Sequence, residues 1–187
     1  MNEATQADLD AFLRPLYQDL DGGSRMEDAE RVAAIARQIY TTSSPGESRQ
    51  LNLLLRFRAI GGWLNKMGNL SRTLLAVSEL TEAELRATAE SIRRLEEPQT
   101  EVERTVAGAM LIDGSGVRGL AERMARARRE GLSVSDVVRE VPVDAACPDW
   151  MPERGRAWLL IRQQARHELC RQIQEETALR DLPSGQH

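Results

Sequence analysis

The stretch PQTEVERTVAGAMLIDGSG, residues 98–116, decides how this chain is organised. Pro98 disfavours continuation of a preceding helix, and Thr100 with Glu103 has the spacing of a capping box, which marks a helix start. The apolar positions that follow recur at three- and four-residue steps: Val102, Val106, Met110 and Leu111. The stretch therefore predicts an amphipathic helix from Thr100 that is interrupted by the two glycines at 114–116.

The same helical pattern continues on both sides of this stretch. Further capping-box spacings occur at Ser24, Thr81 and Ser133, and no run alternates with the two-residue period of a strand. We therefore predict an all-α fold of about nine helices, in a single compact domain over residues 1–182 with a polar C-terminal tail at 183–187. The predicted helices are 5–20, 24–39, 51–60, 69–77, 81–95, 100–111, 117–129, 133–141 and 152–177. The inward face expected for the last helix is Trp158, Ile161, Ala165, Leu169 and Ile173.

Composition excludes several classes of protein. The chain has 187 residues, of which 41% are hydrophobic and 29% charged, and this balance is unlike that of a disordered chain. No apolar run approaches the ~18 residues of a membrane helix, and no basic-then-apolar signal opens the sequence, so we expect no membrane association. The formal charge of −4 gives no reason to expect nucleic-acid binding. Cys147 and Cys170 form no CxxC pair, and we expect reduced thiols in a cytoplasmic protein.

The basic residues are almost all arginine. Lys66 is the one lysine, which leaves 24 arginines among the 25 basic residues. Arginine suits carboxylate and phosphate recognition, but a bias in coding explains the excess more simply. The arginines at positions 123, 126, 128 and 129 are interpreted as a solvated helix face flanked by Glu122 and Glu130.

The stretch at 98–116 resembles the segment of HD-domain phosphohydrolases that runs PxTxEExIVxDADRLDxxGxxGIAR. In register with that segment are Val106, Ala109, Asp113, Gly116, Gly119 and Ala121. Three other stretches agree in order and spacing with the family. Residues 28–32 resemble its HxxRV, residues 58–63 stand where it has AALLHDI, and residues 165–168 resemble its AxxRH. The resemblance covers most of the chain and implies an HD-like helical fold.

This sequence departs from the family at the metal ligands. The resemblance implies an H…HD…D set that holds divalent ions, and these ions activate water for hydrolysis. Here the first His position is Asp28, the His-Asp pair is Gly61 and Gly62, and the acidic positions of the DAD run are Gly108 and Met110. Glycine has no ligand atom, and a thioether is a poor ligand for magnesium or manganese. We expect no metal site, no cofactor and loss of the ancestral phosphohydrolase activity.

The leading hypothesis is therefore a pseudoenzyme that binds a partner protein or a small ligand. The expected ligand-binding residues are those around the vacated metal site: Asp28, Arg58, Gly61, Gly62, Trp63, Gly108 and Met110. A second hypothesis keeps an enzyme that acts on a nucleotide or phosphate-containing substrate, with Asp28, Arg58 or His167 in altered chemistry. A third discards the resemblance and expects a helical interaction module, such as a homodimer that uses Trp150, Met151 and Trp158.

Each of these residues also has a simpler interpretation. Asp28 falls in the first turn of a predicted helix, where a carboxylate favours the positive end of the helix dipole. Gly61 and Gly62 are typical of a loop between helices. His167 has no nucleophile or metal ligand beside it in sequence, which favours a packed or solvated histidine over a general base.

Overall fold

The computed structural model describes residues 3–19, 25–40, 44–58, 80–140 and 146–180. Within these ranges all regular structure is helical, which confirms the all-α prediction. Eight α-helices are described: α1 (Glu3–Asp19), α2 (Arg25–Ile39), α3 (Pro45–Phe57), α4 (Glu82–Arg93), α5 (Glu101–Ser115), α6 (Val117–Arg129), α7 (Val134–Glu140) and α8 (Glu153–Arg180). A 3₁₀ turn at Arg94–Glu96 follows α4. The remaining predicted helix, at 69–77, and the predicted tail at 183–187 lie outside the described residues.

Three of the predicted capping boxes are formed. In α4, the Thr81 hydroxyl accepts from the Glu84 amide and the Glu84 carboxylate accepts from the Thr81 amide. Thr100 and Glu103 make the same reciprocal pair at the start of α5. Ser133 and Asp136 do so at α7, where aspartate takes the place of glutamate. Each box satisfies amide groups that the first turn of a helix leaves without an intrahelical partner.

The described residues fall into two compact units, divided between Met110 and Leu111. In the N-terminal unit, α2 packs against α1 and α3, and α3 packs against α4. The core of this unit contains Leu9, Leu13, Tyr17, Ala29, Leu53, Phe57, Leu80 and Leu85. In the C-terminal unit, α6, α7 and α8 pack against one another. Its core contains Leu120, Ala127, Val137, Val138 and Cys170.

The predicted inward face of α8 is partly wrong. Leu169 and Ile173 do pack against the core, but Ile161 is 66% exposed. The buried face instead runs through Leu159, Gln163, Arg166 and Cys170. Periodicity alone favours the apolar stripe. The structure instead buries Gln163 and Arg166, neither of which is without an interaction partner, and such interactions lower the cost of burying a polar group.

No helix in the described part of the chain is long and apolar enough to cross a membrane.

Candidate functional site

Asp28 lies in the first turn of α2, as its simpler interpretation expects. Its carboxylate accepts a hydrogen bond of 2.6 Å from the Arg31 guanidinium one turn later. The Arg58 guanidinium, just after α3, donates to the Asp28 carbonyl oxygen at 3.1 Å. The structure therefore brings Asp28 and Arg58 together, but the carboxylate is engaged by an arginine and the contact to Arg58 involves the backbone.

Two other predicted site residues lie on α5. Gly108 is buried, whereas Met110 is 37% exposed. Positions two residues apart on an α-helix differ by about 200° around its axis. Gly108 and Met110 therefore do not line one side of α5 together.

The remaining predicted site residues, Gly61, Gly62 and Trp63, lie outside the described residues. A convergence of these three with Asp28 and Arg58 stays a prediction. Within the described ranges, no group of three or more histidine, cysteine, aspartate or glutamate side chains is placed to hold a metal ion.

A cavity of about 120 Å³ opens among α1, α2 and α3 in the N-terminal unit. None of its lining residues belongs to the predicted site. Four apolar side chains form much of its wall: Leu13, Ala29, Ala33 and Leu55. Since Ala29 and Ala33 are one turn apart on α2 and both small, the α2 side of the cavity is open to a bound group.

An ion pair with two hydrogen bonds fixes one edge of this cavity. The Arg56 Nε donates to Asp10 Oδ1 at 2.7 Å, and Arg56 Nη2 donates to Asp10 Oδ2 at 3.1 Å. The Tyr17 hydroxyl donates to the backbone oxygen of Arg56. The Arg56 side chain is 13% exposed, and fork geometry of this kind holds both partners in one orientation. The contacts fix α1 against α3 and so fix the position of the cavity wall.

Two oppositely charged side chains of α2 complete the lining. Glu30 and Arg37 are both exposed, and neither has a hydrogen-bond or ion-pair partner among the described residues. They are seven residues apart, so their Cα atoms are separated by about 10 Å along α2. The cavity therefore has an apolar wall with a free negative charge at Glu30, in the middle of α2, and a free positive charge at Arg37, near the end of that helix.

Sequence reasoning missed this cavity. Asp10 and Arg56 are 46 positions apart, and no local pattern links them. The sequence places Glu103 in a capping box but does not predict that its side chain is fully buried.

No family model, curated protein or solved structure matches this chain. A proposal about function therefore has to be argued from the contacts, burial and charges of the described residues.

The remaining candidate groups agree with the simpler interpretations given to them. His167 is exposed on α8, and the arginines at 123, 126, 128 and 129 are exposed on α6. Burial raises the pKa of the Cys170 thiol, against a smaller lowering by Arg166. A thiol with a raised pKa is a weak nucleophile at neutral pH.

Proposed function

We propose that this chain is a catalytically degenerate relative of HD-domain phosphohydrolases that acts by binding a small ligand in the cavity among α1, α2 and α3. Support for lost catalysis comes from the replaced ligand positions and from Asp28, whose carboxylate is held by Arg31 at 2.6 Å. The single observation that carries the binding function is the cavity itself, with its apolar wall and its free charges at Glu30 and Arg37. Two free cysteines, Cys147 and Cys170, are compatible with the cytoplasmic location we propose.

The chemistry of the lining selects the class of ligand. A cationic group would meet Glu30, an anionic group would meet Arg37, and an apolar body would lie over Ala33 between them. A zwitterion with charges about 7–10 Å apart has this form, and two or three extended peptide residues span that distance. We therefore propose a di- or tripeptide-like zwitterion as the ligand. A nucleotide is a poorer match, since its phosphates would meet Asp10 and Glu30 at the same cavity.

Filling the cavity is expected to abolish this binding. Ala33→Leu adds three carbon atoms at the buried α2 wall, and we expect at least a tenfold loss of affinity for a short peptide, measured by calorimetry or ligand-observed NMR. Ala34→Leu is the matched control, because the neighbouring Ala34 is exposed and the added atoms point away from the cavity. Equal affinity in the two variants would count against the cavity as the site.

The two free charges are expected to contribute separately. Glu30→Gln removes the charge and keeps the size of the side chain, whereas Arg37→Gln removes the charge and shortens an exposed side chain. Each exposed ion pair contributes about 0.2–1 kcal/mol. We expect roughly a 1.5–5-fold loss of affinity for each variant. For a peptide that lacks its terminal amine, Glu30→Gln should no longer change the affinity. For a peptide with a C-terminal amide, Arg37→Gln should no longer change it.

Loss of the metal centre is tested independently of the ligand. Equilibration with manganese or iron, followed by removal of free ion, is expected to leave less than one tightly bound ion per chain and no turnover of phosphomonoesters or nucleotides. The physical reason is that glycine and methionine supply no oxygen or nitrogen ligand at the replaced positions. Stoichiometric metal with phosphatase turnover would favour the second hypothesis, an enzyme with altered chemistry.

A further inference from the structure

The outer face of α8 has an arrangement of residues that is unusual for a helix of a monomeric protein. Leu160 is 58% and Ile161 is 66% exposed, whereas Arg166 on the opposite face is 5% exposed. An amphipathic helix normally places its apolar residues inward and its charges outward. Adjacent large apolar residues at the surface, opposite a buried arginine, make this face a candidate for contact with a partner.

Residues of similar size, or of opposite charge, lie at equal distances along α8 on either side of Ile161. One turn away on either side are Ala157 and Ala165, which are small enough to let a second helix approach closely. Seven residues away on either side are Arg154 and Glu168. All five residues are exposed, and the charges at the two ends have opposite sign.

We propose that this face binds the same face of a second copy of the chain, with the two α8 helices antiparallel and a two-fold axis at Ile161. In that arrangement each Arg154 meets the partner copy's position 168, and both ion pairs form at once. Each Ala157 meets position 165 of the other copy, so small side chains flank the pair of Ile161 side chains on the axis and the helices can approach closely. A two-fold contact needs a surface that is complementary to itself, and this one is.

The charges disfavour the parallel arrangement of the same face. Parallel helices in register would place Arg154 beside Arg154 and Glu168 beside Glu168, and like charges at a contact are unfavourable. Glu168 also accepts from Arg171 on its own helix at 2.7 Å, so an arriving arginine would extend an existing pair to a network. The occupant that fits is therefore a second copy rather than an unrelated acidic or basic partner.

Sedimentation of the full chain over a range of concentrations tests the proposal. We expect a reversible dimer, and Ile161→Arg is expected to make the protein monomeric at all concentrations because two buried charges would meet on the axis. Val134→Arg is the matched control, since Val134 is 50% exposed on α7 and its substitution should leave the dimer intact. A wild-type chain that stays monomeric into the submillimolar range would overturn the proposal.

Charge reversal then tests the antiparallel geometry. Arg154→Glu alone and Glu168→Arg alone should each weaken the dimer about tenfold or more, because each creates two like-charge contacts. An equal mixture of the two variants should dimerise like the wild type, since both contacts are again between opposite charges. The helical circular dichroism of each variant checks that it is folded. Single reversals that leave the dimer unchanged, or a mixture that does not recover it, would refute the antiparallel pair.

Discussion

Replacing Glu103 with alanine is expected to lower the free energy of unfolding by about 2–4 kcal/mol, because a fully buried carboxylate that accepts several hydrogen bonds is lost while its partner Arg94, 36% exposed, can be solvated. The Glu103 side chain has no exposed surface, although it is the third residue of α5 and forms a capping box with Thr100. Alanine would leave its hydrogen-bond donors without an acceptor and would also leave a void. Chemical denaturation followed by circular dichroism measures the loss.

The size of this effect follows from the number of donors that surround the carboxylate. The Arg94 guanidinium donates twice to Oε1, at 2.9 and 2.7 Å. The amides of Gln99 and Thr100 donate to Oε2, at 2.9 and 3.1 Å. One side chain therefore holds the 3₁₀ turn after α4 and the start of α5 in place. A donor that loses such an acceptor and stays shielded from water costs about 1–3 kcal/mol, and a donor that water can reach costs less.

Glu101→Ala is the matched control for Glu103→Ala. Glu101 lies in the same first turn of α5 but is only half-buried. We expect its substitution to cost less than about 1 kcal/mol, since it removes one favourable interaction with the helix dipole. Equal losses for the two variants would show that Glu103 contributes through helix propensity rather than through its buried contacts.

The same carboxylate makes stability depend on pH. Burial alone would raise the pKa of Glu103, but the hydrogen bonds outweigh it and lower the pKa to about 2, from 4.5. Arg94 makes the largest of these contributions. Because the folded pKa is lowered, the stabilisation is complete above pH ~4.5 and is lost as the pH falls toward 2, by about 3 kcal/mol. Glu103→Gln should reduce the slope of stability against pH in this window, and an unchanged slope would contradict the assignment.

The helix starts could be predicted from the sequence because they depend on contacts between residues close together in the chain. Capping boxes at Thr81, Thr100 and Ser133 depend on residues three positions apart, so the pattern alone locates the helix starts. The burial of Glu103 was not predictable in the same way. A capping-box glutamate is usually at the surface, and Arg94, nine residues earlier, supplies the opposite charge that makes burial tolerable.

The candidate site was less predictable than the helices. The cavity depends on α1, α2 and α3 meeting, and its Asp10–Arg56 pair joins residues with no common pattern. The face of α8 was assigned wrongly because a periodic stripe of apolar residues carries no information about which side finds a partner. Burial of Gln163 and Arg166 is set by tertiary contacts, and exposure of Ile161 follows from it.

Replacing Gly119 with alanine is expected to destabilise the C-terminal unit by roughly 3 kcal/mol or more, at or beyond the upper end for overpacking. A Cβ atom added at Gly119 would lie 1.9 Å from the backbone oxygen of Gly114. Backbone at this distance cannot move aside as a flexible side chain can, so α5 and α6 would have to separate where they join. The chain therefore needs glycine here because of the close approach of the Gly114 backbone.

Two neighbouring glycines provide graded controls for this prediction. Gly114→Ala meets nothing within 4 Å and lies in the last turn of α5, so we expect it to be neutral or to stabilise by up to about 1 kcal/mol. Gly116→Ala would place its Cβ 3.2 Å from Cδ of Arg162, a side chain that can shift, so its cost should fall between the other two. Thermal unfolding of the three variants gives the order directly. Because the three sites lie within six residues of one another, a Gly119→Ala protein as stable as Gly114→Ala would mean that the α5–α6 junction is not packed as the structure shows.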